Sequence, residues 1–113
     1  MKKFPSLKKN TDFKKVYNNG KSYANKTLVM YVYNNNLNYN RIGISVSKKN
    51  GNSVIRHTFT RKLREIFRLN RTLKVGIDII VIVRVGAGVK DYHKLENAYL
   101  HLFKLHGLDK NDE

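Results

Sequence analysis

The sequence predicts a single α+β domain with elements in the order α-β-β-β-α-β-α, in which helices pack on a four-stranded mixed sheet. Three observations lead to this prediction. The chain has 113 residues, which is the size of one domain. Hydrophobic residues make up 41% of the chain, enough to fill one core. Apolar residues recur at helical spacing in some segments and at strand spacing in the segments between them.

The first helix is predicted to begin at Asn10-Thr11-Asp12, where a capping residue meets an acid in a first turn. Phe13, Val16 and Tyr17 follow at i, i+3 and i+4, so they share one face of this helix. Gly20 is predicted to end the helix as a left-handed cap. We also expect a short strand around Ser22–Ala24.

The next two strands are predicted from runs of β-branched and aromatic residues. Lys26–Tyr33 forms the first, with Leu28, Met30 and Val32 on one face and Thr27, Val29, Tyr31 and Tyr33 on the other. Arg41–Ser47 forms the second, with Ile42, Ile44 and Val46 inward and Gly43, Ser45 and Ser47 outward. Because the intervening Asn34–Asn40 is rich in asparagine and typical of a turn, the two strands are predicted to pair as an antiparallel hairpin.

An amphipathic helix of about four turns is predicted within Lys48–Arg68, beginning at a cap on Asn52 or Ser53. At about 100° per residue, its apolar residues gather on one stripe: Ile55, Phe59, Leu63, Ile66 and Phe67. Its arginines gather roughly opposite, with His57 and Thr60 among them: Arg56, Arg61, Arg64 and Arg68.

The last strand is predicted over Ile77–Val85, a nearly continuous apolar run typical of a central strand covered on both faces. Since a strand, a helix and a strand follow one another, Arg41–Ser47 and Ile77–Val85 are predicted to be parallel. Gly86-Ala87-Gly88 is predicted to form a turn.

The last helix is predicted to begin at Asp91 and to end near Gly107. Its apolar residues recur at helical spacing: Tyr92, Leu95, Tyr99, Leu102 and Leu105. Residues 1–9 are predicted to be a mobile basic tail, and residues 108–113 a polar tail.

The charge of the chain points to a polyanionic partner. Its formal net charge is +15, far more than solubility requires. Between Phe13 and Arg64 there is no acidic residue, whereas eleven lysines and arginines, Arg41 among them, occur there. The first 70 residues are therefore the predicted binding half. The alternative is a generally basic protein with a solvated surface.

The arginine face of the long helix is the sharpest candidate site. Arginine offers fixed, planar donors that match phosphate oxygens, so arginines on one face suit a nucleic-acid backbone. The Gly51-Asn52 turn before the helix is expected to present main-chain N–H groups and a helix N-terminus to an anion. The alternative is a solvated face with ordinary ion pairs, for which Glu65 is the local partner.

Aromatic residues are interleaved with the positive charge in the first half of the chain: Phe13, Tyr17, Tyr23, Tyr31 and Tyr33. Such rings can stack on the bases of a single strand, or they can simply pack in the core. For Phe13 both interpretations stay open, because it lies on the apolar face of its helix. For Tyr17 and Tyr31 we favour a partly exposed role.

Several functional classes are excluded or disfavoured by residue type. With no cysteine there can be no disulfide framework, zinc finger or thiol nucleophile. The four histidines lack metal-ligand spacing, and no pair of carboxylates lies near the arginine face to hold two metals. No apolar run approaches 18 residues, and no signal-peptide pattern follows the basic start, so we expect a cytoplasmic protein. Since the catalytic groups above are missing, we expect this chain to bind without cutting.

Three segments, in order and spacing, resemble the protein component of bacterial ribonuclease P. Leu7–Asn25 resembles the first-helix pattern of that family, with its Asp-Phe pair, an aromatic residue four positions later and a glycine. Arg41–Arg68 resembles the family's signature, often called the RNR motif, and Gly76–Arg84 resembles its last strand. The resemblance covers nearly the whole chain.

The resemblance implies a fold related to a ribosomal-protein domain, whose crossover connection is left-handed, against the usual rule. It also implies a catalytic RNA partner that, with bound Mg²⁺, removes the 5′ leader of precursor tRNA, with no metal on this chain and no protein partner required. The residues carried over for RNA binding are Lys48, Lys49, Gly51, Asn52, Arg56, His57, Thr60, Arg61, Arg64 and Arg68. Those carried over for the leader cleft, between the first helix, the sheet and part of the signature helix, are Phe13, Tyr17 and Tyr31.

The sequence departs from the family pattern at two positions. His57 stands where the family usually has asparagine, and it can still donate a hydrogen bond. Thr60 stands where lysine is usual, so one charge is lost. Two other classes remain as alternatives, a ribosomal protein of similar composition and a stand-alone nuclease. The cleft aromatics argue against the first, and the missing carboxylate or histidine pair argues against the second.

Overall fold

The computed structural model describes residues 6–72, 74–85 and 91–109. The elements follow the predicted order: α1 (Asn10–Asn19), β1 (Lys21–Ala24), β2 (Leu28–Asn34), β3 (Arg41–Val46), α2 (Ser53–Leu69), β4 (Ile77–Val83) and α3 (Tyr92–Leu105). A short 3-10 turn, Lys48–Asn50, precedes α2. The predicted α+β fold with one mixed four-stranded sheet is therefore confirmed. No described helix is long and apolar enough to cross a membrane.

The strands lie in the spatial order β1-β2-β4-β3. β4 is central, antiparallel to β2 and parallel to β3, which confirms its predicted position and direction. The predicted hairpin between β2 and β3 is wrong, because β4 lies between them. The asparagine-rich loop instead forms hydrogen bonds with the residues where β4 begins. The Asn35 N–H donates to the Gly76 carbonyl (2.8 Å), and the Asn40 Oδ1 accepts from the Ile77 N–H (3.0 Å). The hand of the β3-α2-β4 crossover stays a prediction.

The main core lies on one face of the sheet, between the sheet and helices α2 and α3. The position of this core agrees with the predicted alternation in the strands and the predicted apolar stripes of the helices. Every second strand residue points to this face and packs against an apolar helix stripe. The strands contribute Leu28, Met30, Ile42, Ile77, Ile79, Val81 and Val83, and the helices contribute Phe59, Leu63, Ile66, Leu95, Tyr99, Leu102 and Phe103.

The opposite face of the sheet is covered by α1 and the segment before it. Here Leu7, Val16 and Ile80 are buried, and partly buried hydrophobic residues pack around them. The Leu7 N–H donates to the Ile42 carbonyl (2.9 Å). The tail predicted over residues 1–9 is therefore wrong for Leu7, because this apolar side chain finds a place on the sheet. Residues 1–5 lie outside the described residues.

Glycines near α1 are required by close packing. Gly20 is extended (φ −79°), so the predicted left-handed cap is wrong. A Cβ there would lie 2.6 Å from the Val16 carbonyl oxygen, so the strand leaves the helix too closely for a side chain. Gly43, predicted to face outward, is buried, and a Cβ there would lie 2.9 Å from the Phe13 ring. The predicted cap at the start of α1 is also wrong, because Asn10 is already helical and no side chain caps the helix.

Helix α3 begins as predicted, with the Asp91 carboxylate accepting from the His93 and Lys94 N–H groups. It ends before Gly107, whose φ is +72°. Two details differ from the prediction. Leu105 is exposed, and Leu108, placed in a polar tail, is buried in the main core. The predicted turn at Gly86-Ala87-Gly88 and residues 110–113 lie outside the described residues.

Candidate nucleic-acid interface

Three aromatic rings form a continuous cluster where α1 meets β2, which we call the aromatic cluster: Phe13, Tyr17 and Tyr31. The ring centroids of Phe13 and Tyr17 are 6.2 Å apart. Tyr17 and Tyr31 meet edge to face, with centroids 5.1 Å apart at 80°. This is a preferred geometry for aromatic pairs. The structure thus brings together the three residues predicted for the cleft, while their role in binding stays a prediction.

All three rings are accessible in part, so both interpretations of Phe13, core packing and stacking, stay open. The Phe13 ring lies over Gly43 and packs with the small core of this face. Tyr17 is 39% exposed, and Tyr31 is partly buried. Burial, and secondarily the neighbouring Tyr31, raises the pKa of Tyr17, so its ring stays neutral at physiological pH. Phe13 therefore packs on the sheet beside the tyrosines, and each of the three rings keeps part of its surface accessible.

The sheet continues beyond the aromatic cluster as a partly buried floor. The strand register places Val29 and Ser45 beside Ile82, on the side of the sheet that carries Tyr31 and Ile80. All three of these floor residues are only partly buried. Helix α2 packs against the other side of the sheet. Among the described residues, α1 and the sheet wall the cleft, and a contribution from part of the signature helix stays a prediction.

The outer face of α2 carries an exposed set that we call the basic surface: His57, Arg61, Arg64 and Arg68. Within the described ranges, neither Arg61 nor Arg64 pairs with a carboxylate. Arg68 does, with Glu65 one turn earlier, and this contact lowers the pKa of the Glu65 carboxyl. The solvated-face alternative thus accounts for Arg68 and leaves the other two arginines available to phosphates.

Arg56 and Thr60 depart from the predicted outward position and lie partly buried on the flank of α2. The reason is helical geometry, since Arg56 is three residues before the buried Phe59 and so lies about 60° from it. The Thr60 hydroxyl donates to the Arg56 carbonyl (3.1 Å). The Arg56 Nε is buried and has no hydrogen-bond partner in the described part of the chain.

The loop before α2 holds two exposed lysines, Lys48 and Lys49, in a fixed turn. Gly51 has a φ of +140°, and its Cβ would lie 2.9 Å from the Ile55 side chain, so only glycine fits there. Its N–H donates to the Lys48 carbonyl (3.2 Å), so it does not face an anion as predicted. The predicted cap on Asn52 is confirmed, with its side chain accepting from the Ile55 N–H (3.0 Å).

A buried ion pair that was not predicted from the sequence lies behind α1. Asp78, on β4, is 1% exposed. Arg41, counted above only for its charge, donates from Nε and Nη2 to its two carboxylate oxygens (2.8 and 2.7 Å). The pKa of Arg41 is raised, mainly by this hydrogen bonding. A lone aspartate inside an apolar strand was the available signal, since a buried carboxylate requires a partner.

The described residues contain no group of three or more histidine, aspartate or glutamate side chains that could hold a metal ion. The four histidines do not converge on one another there. No ligand set for a divalent cation is therefore assigned to residues 6–72, 74–85 and 91–109.

Comparison with known proteins identifies relatives along nearly the entire chain. The family model described as Ribonuclease P matches residues 1–106. The ribonuclease P protein component of Lachnoclostridium phytofermentans is 50% identical over 109 residues, covering 96% of this chain and 94% of the relative. A solved Staphylococcus aureus ribonuclease P protein is 38% identical, with a TM-score of 0.85 and coverage of 96% of this chain and all of that chain. The Thermotoga maritima protein is 31% identical with a TM-score of 0.77, and the match covers 96% and 98% of the two chains.

Proposed function

Because the chain belongs to the ribonuclease P protein family, a family of subunits of a tRNA-processing ribonuclease, we propose that it binds a catalytic RNA and the 5′ leader of precursor tRNA. In this proposal the holoenzyme cuts the leader endonucleolytically and leaves the mature 5′ end. The observation that carries it is the pairing of two binding chemistries on one small domain. A partly exposed aromatic cluster lies on one side of the sheet, and Arg61 and Arg64, which pair with no carboxylate of the described residues, lie beyond the other.

The basic surface and its approach loop are proposed to hold the RNA partner. Arg61 and Arg64 offer forked donors to the phosphate backbone, and Lys48 and Lys49 add charge at the start of α2. Gly51 and Asn52 act by fixing the loop and the helix start. His57 and Arg68 lie beside these arginines, while Arg56 and Thr60 contribute from the flank.

The aromatic cluster is proposed to hold the leader. A single strand splayed along the floor of the cleft would meet the ring faces of Tyr17 and Tyr31, and base-on-ring stacking tolerates any sequence. Phe13, which is partly buried, packs on the sheet beside Tyr17 and supports it. Mature tRNA lacks this segment, so the cleft would distinguish substrate from product.

Mg²⁺ is proposed to act in the holoenzyme while held mainly by the RNA. The described residues show no cluster suited to it, so no step of the reaction is assigned to a metal on this chain. The protein's own contribution is to bind and orient the substrate.

A three-way cleavage assay tests the proposal. Precursor tRNA is incubated at low Mg²⁺ with the chain alone, the RNA alone and both together. We expect cleavage to need the RNA and to be stimulated by the chain. Activity of the chain alone would indicate a stand-alone nuclease. Binding without stimulation would favour a structural role of the kind that ribosomal proteins play.

The salt dependence of RNA binding tests the role of charge. If about six phosphates are neutralised, the log–log slope of affinity against salt should be on the order of −5. A nearly flat slope would contradict an electrostatic interface.

A further inference from the structure

Arg41 connects three elements on the α1 side of the sheet. From β3, its Nε and Nη2 donate to Asp78 on β4, at 2.8 and 2.7 Å. Its remaining terminal nitrogen, Nη1, lies 3.4 Å from the Asp12 carboxylate in the first turn of α1. One guanidinium therefore joins the helix to two strands.

The two ends of this bridge are held with different strength. The Asp78 end is buried and is fixed further by Asn35, whose side-chain amide donates to the same carboxylate (2.7 Å). The Asp12 end is longer, and Asp12 is 22% exposed. The Arg41–Asp78 pair is thus an anchor within the sheet, and Asp12 is the part of α1 that reaches it.

At the N-terminal end of α1, Leu7 and Phe13 make apolar contacts with the sheet beside Gly43. No side chain caps it there. At its other end, Gly20 lies close to the Val16 and Val32 carbonyls and fixes the turn into β1. The Asp12–Arg41 contact adds a directional, charged link at this end of the helix, beside apolar contacts that do not fix its tilt by themselves. Phe13 follows Asp12 directly, and Tyr17 lies one turn further along.

We infer that Asp12 is a positioning residue that acts through Arg41, setting the tilt of α1 and with it the spacing between Tyr17 and Tyr31 in the leader cleft. The inference rests on the proposed function of that cleft. In it, Arg41 works inside the protein and does not touch RNA. A lysine could keep the charge beside Asp78 but could not contact both carboxylates, because it lacks the planar fork.

The test uses two variants that break the same contact from opposite sides, Asp12→Asn and Arg41→Lys. Removing Arg41 altogether would leave the Asp78 carboxylate buried with only the neutral Asn35 amide described as a partner, and would threaten folding. Asp12 also lies near the positive end of the helix dipole, so Arg41→Lys is the cleaner variant. Asp109→Asn, which removes an exposed acid far from α1, is the matched control for charge.

The measurement is the ratio of precursor to mature tRNA affinity in the reconstituted complex. We expect Asp12→Asn and Arg41→Lys each to lower this ratio about three- to tenfold, and the double variant to lower it no further, since both remove one interaction. A purely electrostatic effect of Asp12→Asn would strengthen binding to both RNAs and would not lower the ratio. Asp109→Asn should leave the ratio unchanged.

Two further readouts separate this inference from the proposed function. If Tyr17→Ala lowers the ratio and the two positioning variants do not, the inference is overturned and the cleft stands. If Tyr17→Ala has no effect either, the leader cleft itself is wrong. Amide hydrogen exchange then tests the contact directly: faster exchange in α1 than in α3 on Arg41→Lys supports it, and unchanged α1 protection overturns it.

Discussion

Ile79 and Ile80 are neighbours on β4, yet their side chains enter different environments. Ile79 joins the main core beneath α2 and α3, where the buried residues are nearly all apolar. Ile80 joins the smaller cluster beneath α1, beside an ion pair and partly exposed rings. The difference indicates that the two faces of one sheet have different roles, one in stability and one in binding. The first face supplies most of the stability, and the second gives up some apolar contact to keep a surface open for binding.

The largest expected effect is on folding. Ile79→Ala and Ile80→Ala should each lower the free energy of unfolding by about 2–5 kcal/mol, since both side chains are fully buried. The loss should be larger for Ile79, because two helices hold its surroundings rigid, whereas α1 can settle into the space left by Ile80. Urea unfolding of the pair measures this. A larger loss of unfolding free energy for Ile80→Ala than for Ile79→Ala would contradict the proposal that the main-core face supplies most of the stability.

The next effect should appear in binding with little change in stability. Tyr17→Ala is expected to weaken precursor tRNA binding by about 1–3 kcal/mol through the lost stack, and to leave mature tRNA binding nearly unchanged. Tyr39, 45% exposed in the asparagine-rich loop, provides the matched control, and Tyr39→Ala should change neither. An unchanged precursor-to-mature ratio for both Tyr17→Ala and Tyr31→Ala would mean that these rings only pack.

A smaller effect on stability should accompany loss of an arginine from the basic surface. Arg64 is exposed, so Arg64→Ala should cost under about 1 kcal/mol of unfolding free energy. The same change should weaken assembly with the RNA partner more than Lys104→Ala does on the exposed side of α3. A sharp fall in melting temperature with unchanged RNA affinity would show that the face is assigned wrongly.

The smallest expected effect is a pH dependence of stability that arises at His106, on the main-core face. The His106 Nε2–H donates to the Met30 carbonyl (2.9 Å), and its ring meets Tyr23 edge to face. Burial lowers the pKa of His106 below its ordinary value of 6.5. The unfolded chain therefore binds this proton more readily, and stability should fall as pH drops below about 6.5.

Urea unfolding at pH 8 and pH 5.5 checks this pH dependence. His106→Gln should flatten the difference between the two values, and a change at the exposed His57 should not. If both variants keep the same difference in unfolding free energy between pH 8 and pH 5.5, other groups cause the pH dependence.

The sequence predicted what local periodicity determines. The apolar stripe of α2, with Phe59 and Leu63, and the alternation in β2 both lie where expected, because each depends only on residue spacing. The pairing of the strands was not local. An asparagine-rich loop between two strands looks like a hairpin turn, and nothing nearby in sequence shows that a strand some 40 residues later enters between them.

The candidate site divides in the same way. Arg61 and Arg64 could be predicted as exposed, because their position follows from the helix period. Arg41 could not be separated from them by charge alone, since its role depends on Asp78, which comes 37 residues later. The packing at Gly20 could not be predicted either, because one of the two carbonyl groups that leave no room for a side chain there belongs to β2.

The central place of β4 has a consequence for how the chain is made. β1 and β2 can pair as soon as they leave the ribosome, but an isolated two-stranded hairpin is marginal in water. β3 has no strand partner until residues 77–83 have been synthesised, because β4 supplies every strand pairing that it has among the described residues. The sheet therefore closes late and through contacts distant in sequence, which is the slow route to a fold. A nascent chain that stalls before β4 has one two-stranded hairpin, β3 without a neighbouring strand, and neither of its cores.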